Sequence, residues 1–157
     1  MPIIKTTLAE NYSIIFPLRL ITGLIWFGTA IRRILIPNFF DRIADMAAGE
    51  PLLPPALMDW AVSNWVLIFA VVLSLEIISS LSLLTGTFAR AGAALATFNG
   101  FAIGLAGIGL GILDLIIPWT AALMSLVLLL FSHPGMYRGI DEQLSARDLP
   151  EWVKVLM

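Results

Sequence analysis

The apolar run from Val62 to Thr87 carries a single charged side chain, Glu76, and is closed by Asp59 before it and Arg90 after it. Its length matches the roughly 20 residues that cross a hydrocarbon core, so the run reads as a transmembrane helix. Trp65 at one end suits the headgroup boundary, and Arg90 at the other can snorkel. Glu76 then falls near the bilayer midplane. A charged carboxylate there costs at least about 2.5–3.5 kcal/mol, so it must be neutral, paired or turned to a wet cavity.

The rest of the chain has the same character. Of 157 residues, 59% are hydrophobic and 13% charged, and the mean hydropathy is +0.95. Soluble domains average roughly 45–50% apolar and 25% charged residues. Four apolar runs fit this length: about 14–36, 62–87, 91–113 and 115–131. The expected fold is therefore all-α, a single four-helix transmembrane bundle. A connection spans 37–61 and a tail spans 132–157. The first run has no small-x-small cleavage pattern after it, so a retained helix is expected rather than a cleaved leader.

Composition also excludes chemistry. The chain has no cysteine, which removes disulfides, thiolate metal sites and iron–sulfur clusters. His133 is its single histidine, so one chain cannot supply a bis-imidazole haem site. No metal or haem is expected. The net charge of −2 and the lack of a basic cluster give no sign of a nucleic-acid partner.

Helical spacing on the first run puts Arg19, Gly23, Trp26, Ala30 and Arg33 on one face. Arg32 falls nearly opposite Arg33, toward headgroups or a neighbouring chain. Pro37 ends the run. In the connection, Phe39, Phe40, Ile43 and Met46 can share one side of a short surface helix resting on the bilayer, which Gly49-Glu50-Pro51 breaks. The third run contains two Gly-x-x-x-Gly pairs, Gly100 with Gly104 and Gly107 with Gly111, a signal for close helix contact. Pro118 and Trp119 open the fourth run, and His133-Pro134-Gly135 stops it.

Arg19 is the expected partner of Glu76. It lies about six residues from the middle of its run, roughly 9 Å at 1.5 Å per residue, within reach of a long side chain. Three readings stay open: an ion pair that fixes helix register, a carboxylate that takes protons beside a lipid-soluble redox carrier, and a protonated acid bonded to nearby serines. Trp26 and Phe27 can sandwich a quinone ring or serve only as packing. Arg32 and Arg33 can hold an anion or anchor the helix at the interface. Lysine and arginine near the run ends favour the face of Lys5, Arg90, Arg138, Arg147 and Lys154. That places both termini on the cytoplasmic side of a prokaryotic plasma membrane and the 37–61 connection outside.

Arg19-Leu20-Ile21-Thr22-Gly23, then Trp26-Phe27, Arg32-Arg33 and Pro37, together with LEIISSLSLLTGTFARAGA from Leu75 to Ala93, resemble the DoxX/DoxD superfamily of four-helix membrane proteins. The double arginine followed by proline and a long connection is most similar to its DoxD branch, the membrane subunits of thiosulfate:quinone oxidoreductase. The resemblance implies oxidation of thiosulfate to tetrathionate, membrane quinone as electron acceptor, and a DoxA-like small subunit as partner. Glu76 becomes the catalytic carboxylate, Arg19, Arg32 and Arg33 bind substrate, and Trp26 and Phe27 bind quinone. A homo-oligomer in contact with membrane lipid is expected. The alternatives are a non-catalytic scaffold that recruits a redox partner and a small anion transporter.

Overall fold

The computed structural model describes residues 3–36, 38–49, 51–110, 112–131, 139–145 and 150–156, with side chains undescribed at 3–13, 112–114 and 131. Expectations on Pro37, Glu50, Gly111, His133-Pro134-Gly135, Arg138 and Arg147, and on the side chain of Lys5, lie outside the described residues.

The described chain is all-helical: α1 (Ile3–Leu35), α2 (Phe39–Ala48), α3 (Pro55–Ser63), α4 (Trp65–Thr85), α5 (Ala89–Ala106), α6 (Ile112–Phe131), α7 (Ile140–Ser145) and α8 (Glu151–Leu156). Two segments, Ile14–Leu35 and Trp65–Thr85, are long and apolar enough to cross a membrane. The four long helices pack in sequence, α1 on α4, α4 on α5 and α5 on α6, and α6 returns to α1. Trp26, Leu83, Ala93, Ala96, Ala121 and Leu128 form the core between them.

Several boundaries differ from the sequence reading. The helix around Pro17 begins at Ile3, so the proline lies inside it rather than in its first turn. The run around Glu76 is not one helix back to Val62. Asn64 interrupts it, its backbone N–H and its side-chain amide both turned onto the Trp60 carbonyl, so α3 folds away as a separate element. Likewise α6 starts at Ile112 and carries Pro118 internally.

Small residues set the close approaches. A Cβ on Gly100 would stand 2.7 Å from the Ala122 Cβ, and one on Gly104 would stand 2.9 Å from Trp119 Nε1. The expected close contact of this glycine ridge is thus met by α6 of the same chain. The α4–α5 turn needs the left-handed region at Gly86 (φ 69°) and at Phe88 (φ 49°). The Ser82 hydroxyl supports it, 2.6 Å from the Thr87 carbonyl and 2.9 Å from that of Phe88.

The connection folds back on the bundle. α2 and α3 pack on each other and on α4, over one end of the long helices. Ile43 is buried, and Phe39 meets Phe69 edge-on at 5.3 Å. Phe40 stays exposed and packs against Trp65 at 5.9 Å. The apolar side of α2 is therefore spent mainly on its own bundle.

Candidate functional site

Beneath α2 and α3 lies a cavity of about 440 Å³, walled by α1, α4, α5 and α6. Its lining is mostly aliphatic and aromatic, but four ionisable side chains reach it: Arg32, Arg33, Arg42 and Glu76. Among the described residues its charged lining is thus three guanidinium groups against one carboxylate.

Glu76 sits midway along α4 and is fully buried. Arg33 comes from the last turn of α1. Side chains of a helix lean toward its N-terminus, so an arginine near the C-terminal end reaches back into the bundle. The pair is bidentate: Nε donates to Oε2 at 3.0 Å and Nη2 to Oε1 at 2.6 Å. The guanidinium also lies over the Phe39 ring, 5.0 Å from its centroid. A parallel fork of this kind fixes both partners in direction and cancels the buried charge.

Uncharged polar groups also line the cavity, from Thr29, Asn38, Trp26 and Asn99. Trp26 lines it and is anchored through Nε1 to the Ser125 hydroxyl at 3.3 Å. Asn99 of α5 lines it too, is 2% exposed, and has an Nδ2 with no hydrogen-bond partner. A buried amide left without a partner costs about 1–3 kcal/mol, so an unused donor lies buried in the wall of the cavity. Sequence reasoning passed over Asn99. Its signal there is the single amide in the otherwise apolar and small stretch from Ala91 to Leu113.

The structure revises the sequence-based site. Arg19 does not pair with Glu76: it lies midway along α1, about four turns before Arg33, against Gly86 and near Asp141. Gly86 is about ten residues from Glu76 along α4, or about 15 Å. Helix packing fixed the axial stagger of α1 and α4, and it selected Arg33. Phe27 is 43% exposed on the outside of α1 and does not line the cavity, whereas Trp26 does. Arg32 is exposed and reaches the cavity only at its edge with a second, outer groove. Ser80 and Ser82 donate to backbone carbonyls rather than to Glu76.

Arg19 and Asp141 form a second polar cluster at the opposite end. The Asp141 carboxylate accepts the backbone N–H of Phe88 at 2.8 Å through Oδ1 and that of Ala89 at 3.0 Å through Oδ2. Its own N–H donates to the Gly86 carbonyl at 2.9 Å. α5 has no capping side chain of its own at Phe88, so Asp141 caps it from α7. Burial pushes the Asp141 carboxyl above its ordinary range, while the two backbone donors and the Arg19 charge pull the other way. Among the described residues no group of three or more metal-ligating side chains converges.

Comparison of the chain with protein-family models, with characterised proteins and with solved structures gives no match.

Proposed function

We propose that the chain is a four-span membrane protein of the DoxX/DoxD type, and that its cavity binds a membrane quinone beside the Arg33–Glu76 pair. The reading of the spans rests on exposure. Only 28% and 22% of the residues in the two segments long and apolar enough to span are buried, whereas a core helix of a soluble protein is mostly buried. Large apolar side chains stand outward on all four long helices, among them Ile21 and Leu24 on α1, Leu67 and Ile78 on α4, Phe98 on α5 and Leu123 on α6. Soluble monomers rarely expose apolar patches beyond a few hundred Å². Both termini are assigned to the cytoplasmic side on the lysine and arginine balance, with α2 and α3 outside.

The observation that carries the ligand assignment is the unpartnered Asn99 amide in an apolar cavity that also holds a buried carboxylate–guanidinium pair. A quinone ring is flat and apolar on its faces and carries carbonyl acceptors at its edge, which suits an amide donor and the Trp26 and Phe39 rings. Asn99 donates to a carbonyl, Trp26 and Phe39 bound the ring, and Glu76 is the buried group able to take or give a proton. Arg33 holds that carboxylate in place. The arginine-rich lining favours a small dianion such as thiosulfate on the side of α2. A bound quinone would supply the acceptor for the two electrons released as two thiosulfates couple to tetrathionate, and would take up two protons from water as it is reduced.

The test is extraction of the purified membrane protein with organic solvent and analysis of the extract for quinone, followed by binding of added quinone to the stripped protein. Co-purified quinone that rebinds to the stripped protein, with weaker rebinding in Asn99→Leu, is expected. A stripped protein that binds no quinone overturns the proposal.

A further inference from the structure

The outer groove between α1 and α6 has a volume of about 370 Å³ and is lined by Leu24, Gly28 and Ile116 among others. It meets the main cavity at Thr29, Arg32 and Ile117, which line both. We propose that this groove holds the isoprenoid tail of the ligand whose ring lies in the cavity, and that it is the passage between lipid and site. The proposal rests on the quinone reading and adds to it where the tail runs and how the ligand enters.

Three observations support it. First, the seam between α1 and α6 is the loosest of the four long-helix contacts. Second, Gly28 on this seam is bare: a Cβ there would meet no atom within 4 Å, whereas one on Gly23 would stand 2.9 Å from the Leu84 side chain. The open face of α1 is therefore the one that carries Gly28, while the face turned to α4 at Gly23 is closed. Third, the polarity changes along the path. The outer part is mostly apolar, with Thr120 as its polar side chain outside the neck, and faces the lipid side, with Leu24 and Ile116 exposed. Polar groups gather at the neck, with Thr29 and Arg32, and continue inside with Arg33, Glu76 and Asn99. A ligand matching this gradient has a long apolar chain on a polar ring. A wholly polar ligand gains nothing from the groove, and a plain hydrocarbon gains nothing from the inner wall.

Filling the groove tests this. Gly28→Leu adds a side chain where space is open and replaces a poor helix former by a good one, so the protein is expected to fold. Thr120→Trp fills the groove from α6 and serves as the second variant. Binding to the detergent-solubilised protein is followed by tryptophan fluorescence with two probes: a ubiquinone with a long isoprenoid tail, and dimethoxy-methyl-benzoquinone, the same ring without a tail. Both variants are expected to bind the tailed probe about tenfold more weakly than the parent, the scale of losing two buried methylenes. The tail-less probe is expected to bind them as it binds the parent. If the tailed probe keeps its affinity in both variants, the groove holds something else, such as a phospholipid acyl chain, and the proposal is wrong. Equal losses of both probes also overturn it, because they place the groove's effect on the ring. A parent protein that binds neither probe defeats the quinone reading itself and takes this proposal with it.

Discussion

Arg33 and Glu76, 43 residues apart in the chain, meet through two hydrogen bonds with the carboxylate fully buried and the guanidinium largely so. Each oxygen of Glu76 has one of these donors, so the pair is neutral and directional at once. It also ties the last turn of α1 to the middle of α4 directly below α2. A rigid, charge-balanced fork on the wall of an apolar cavity is a costly arrangement unless it positions something, since a hydrophobic pair of similar volume is often as stable or more so.

Breaking the pair from either side should therefore cost more than removing it. Glu76→Leu or Arg33→Met alone leaves one buried group uncompensated, a loss of about 3–5 kcal/mol. The double variant Arg33→Met with Glu76→Leu should recover most of that loss. Arg33→Lys keeps the charge but not the fork and should fall between parent and Arg33→Met. Thermal unfolding in detergent measures all four, and simple additivity of the two single losses would show that the groups do not act as a unit.

The sequence made the inward face of α1 legible, because the 3.6-residue period groups Arg19, Trp26 and Arg33 whatever they pack against. It also made Glu76 legible as a buried charge in need of a partner. The partner was not legible: Arg19 and Arg33 lie at comparable distances from the centre of the first run, and only the axial stagger of α1 against α4 separates them. That stagger comes from contacts such as Gly23 on Leu84, which no periodicity reports. The inward fold of α2 and the break at Asn64 are tertiary outcomes of the same kind. Asp141 was hidden for a different reason. It lies in an ordinary polar tail, and its role depends on an uncapped helix start 52 residues earlier.

Asn99 gives a prediction in which two readouts move in opposite directions. Asn99→Leu removes a buried donor without a partner and keeps similar volume, so the ligand-free protein should gain stability, up to about 1–3 kcal/mol. The same change removes the proposed donor to a quinone carbonyl and should weaken quinone binding by about tenfold. Thermal unfolding and quinone titration of one preparation decide the matter. Loss of stability would mean that Asn99 has a partner inside the protein.

Gly28 and Gly100 should respond to alanine with opposite signs. Alanine is favoured over glycine within a helix by roughly 1 kcal/mol. At Gly28 the added methyl meets open space, so Gly28→Ala should raise the unfolding temperature. At Gly100 it meets the Ala122 Cβ at 2.7 Å and the Pro118 carbonyl oxygen at 3.1 Å, so α5 and α6 must separate. Overpacking of this kind typically costs about 1–3 kcal/mol and outweighs the helix gain. A stabilised Gly100→Ala would show that α5 and α6 do not pack as described.

Asp141 should give the protein a stability that falls as pH rises. Burial is the largest influence on its carboxyl and raises it above the ordinary value of 3.8. The folded protein then binds more protons at this site than the unfolded chain. Stability changes with pH in proportion to protons bound in the unfolded state minus those bound in the folded state, which is negative here. The contribution is complete below the ordinary carboxylate range and is lost as pH climbs through the raised folded value. A carboxamide does not titrate, so the Asp141→Asn variant lacks this dependence. It also keeps just one side-chain oxygen for the two N–H groups of Phe88 and Ala89, and losing a cap of this kind costs roughly 1 kcal/mol. The parent should therefore exceed Asp141→Asn in unfolding temperature most at acid pH, with the gap narrowing toward neutral pH. A gap that widens with pH would mean that the backbone donors and Arg19 outweigh burial at this carboxyl, and that Asp141 works as a charged cap on α5.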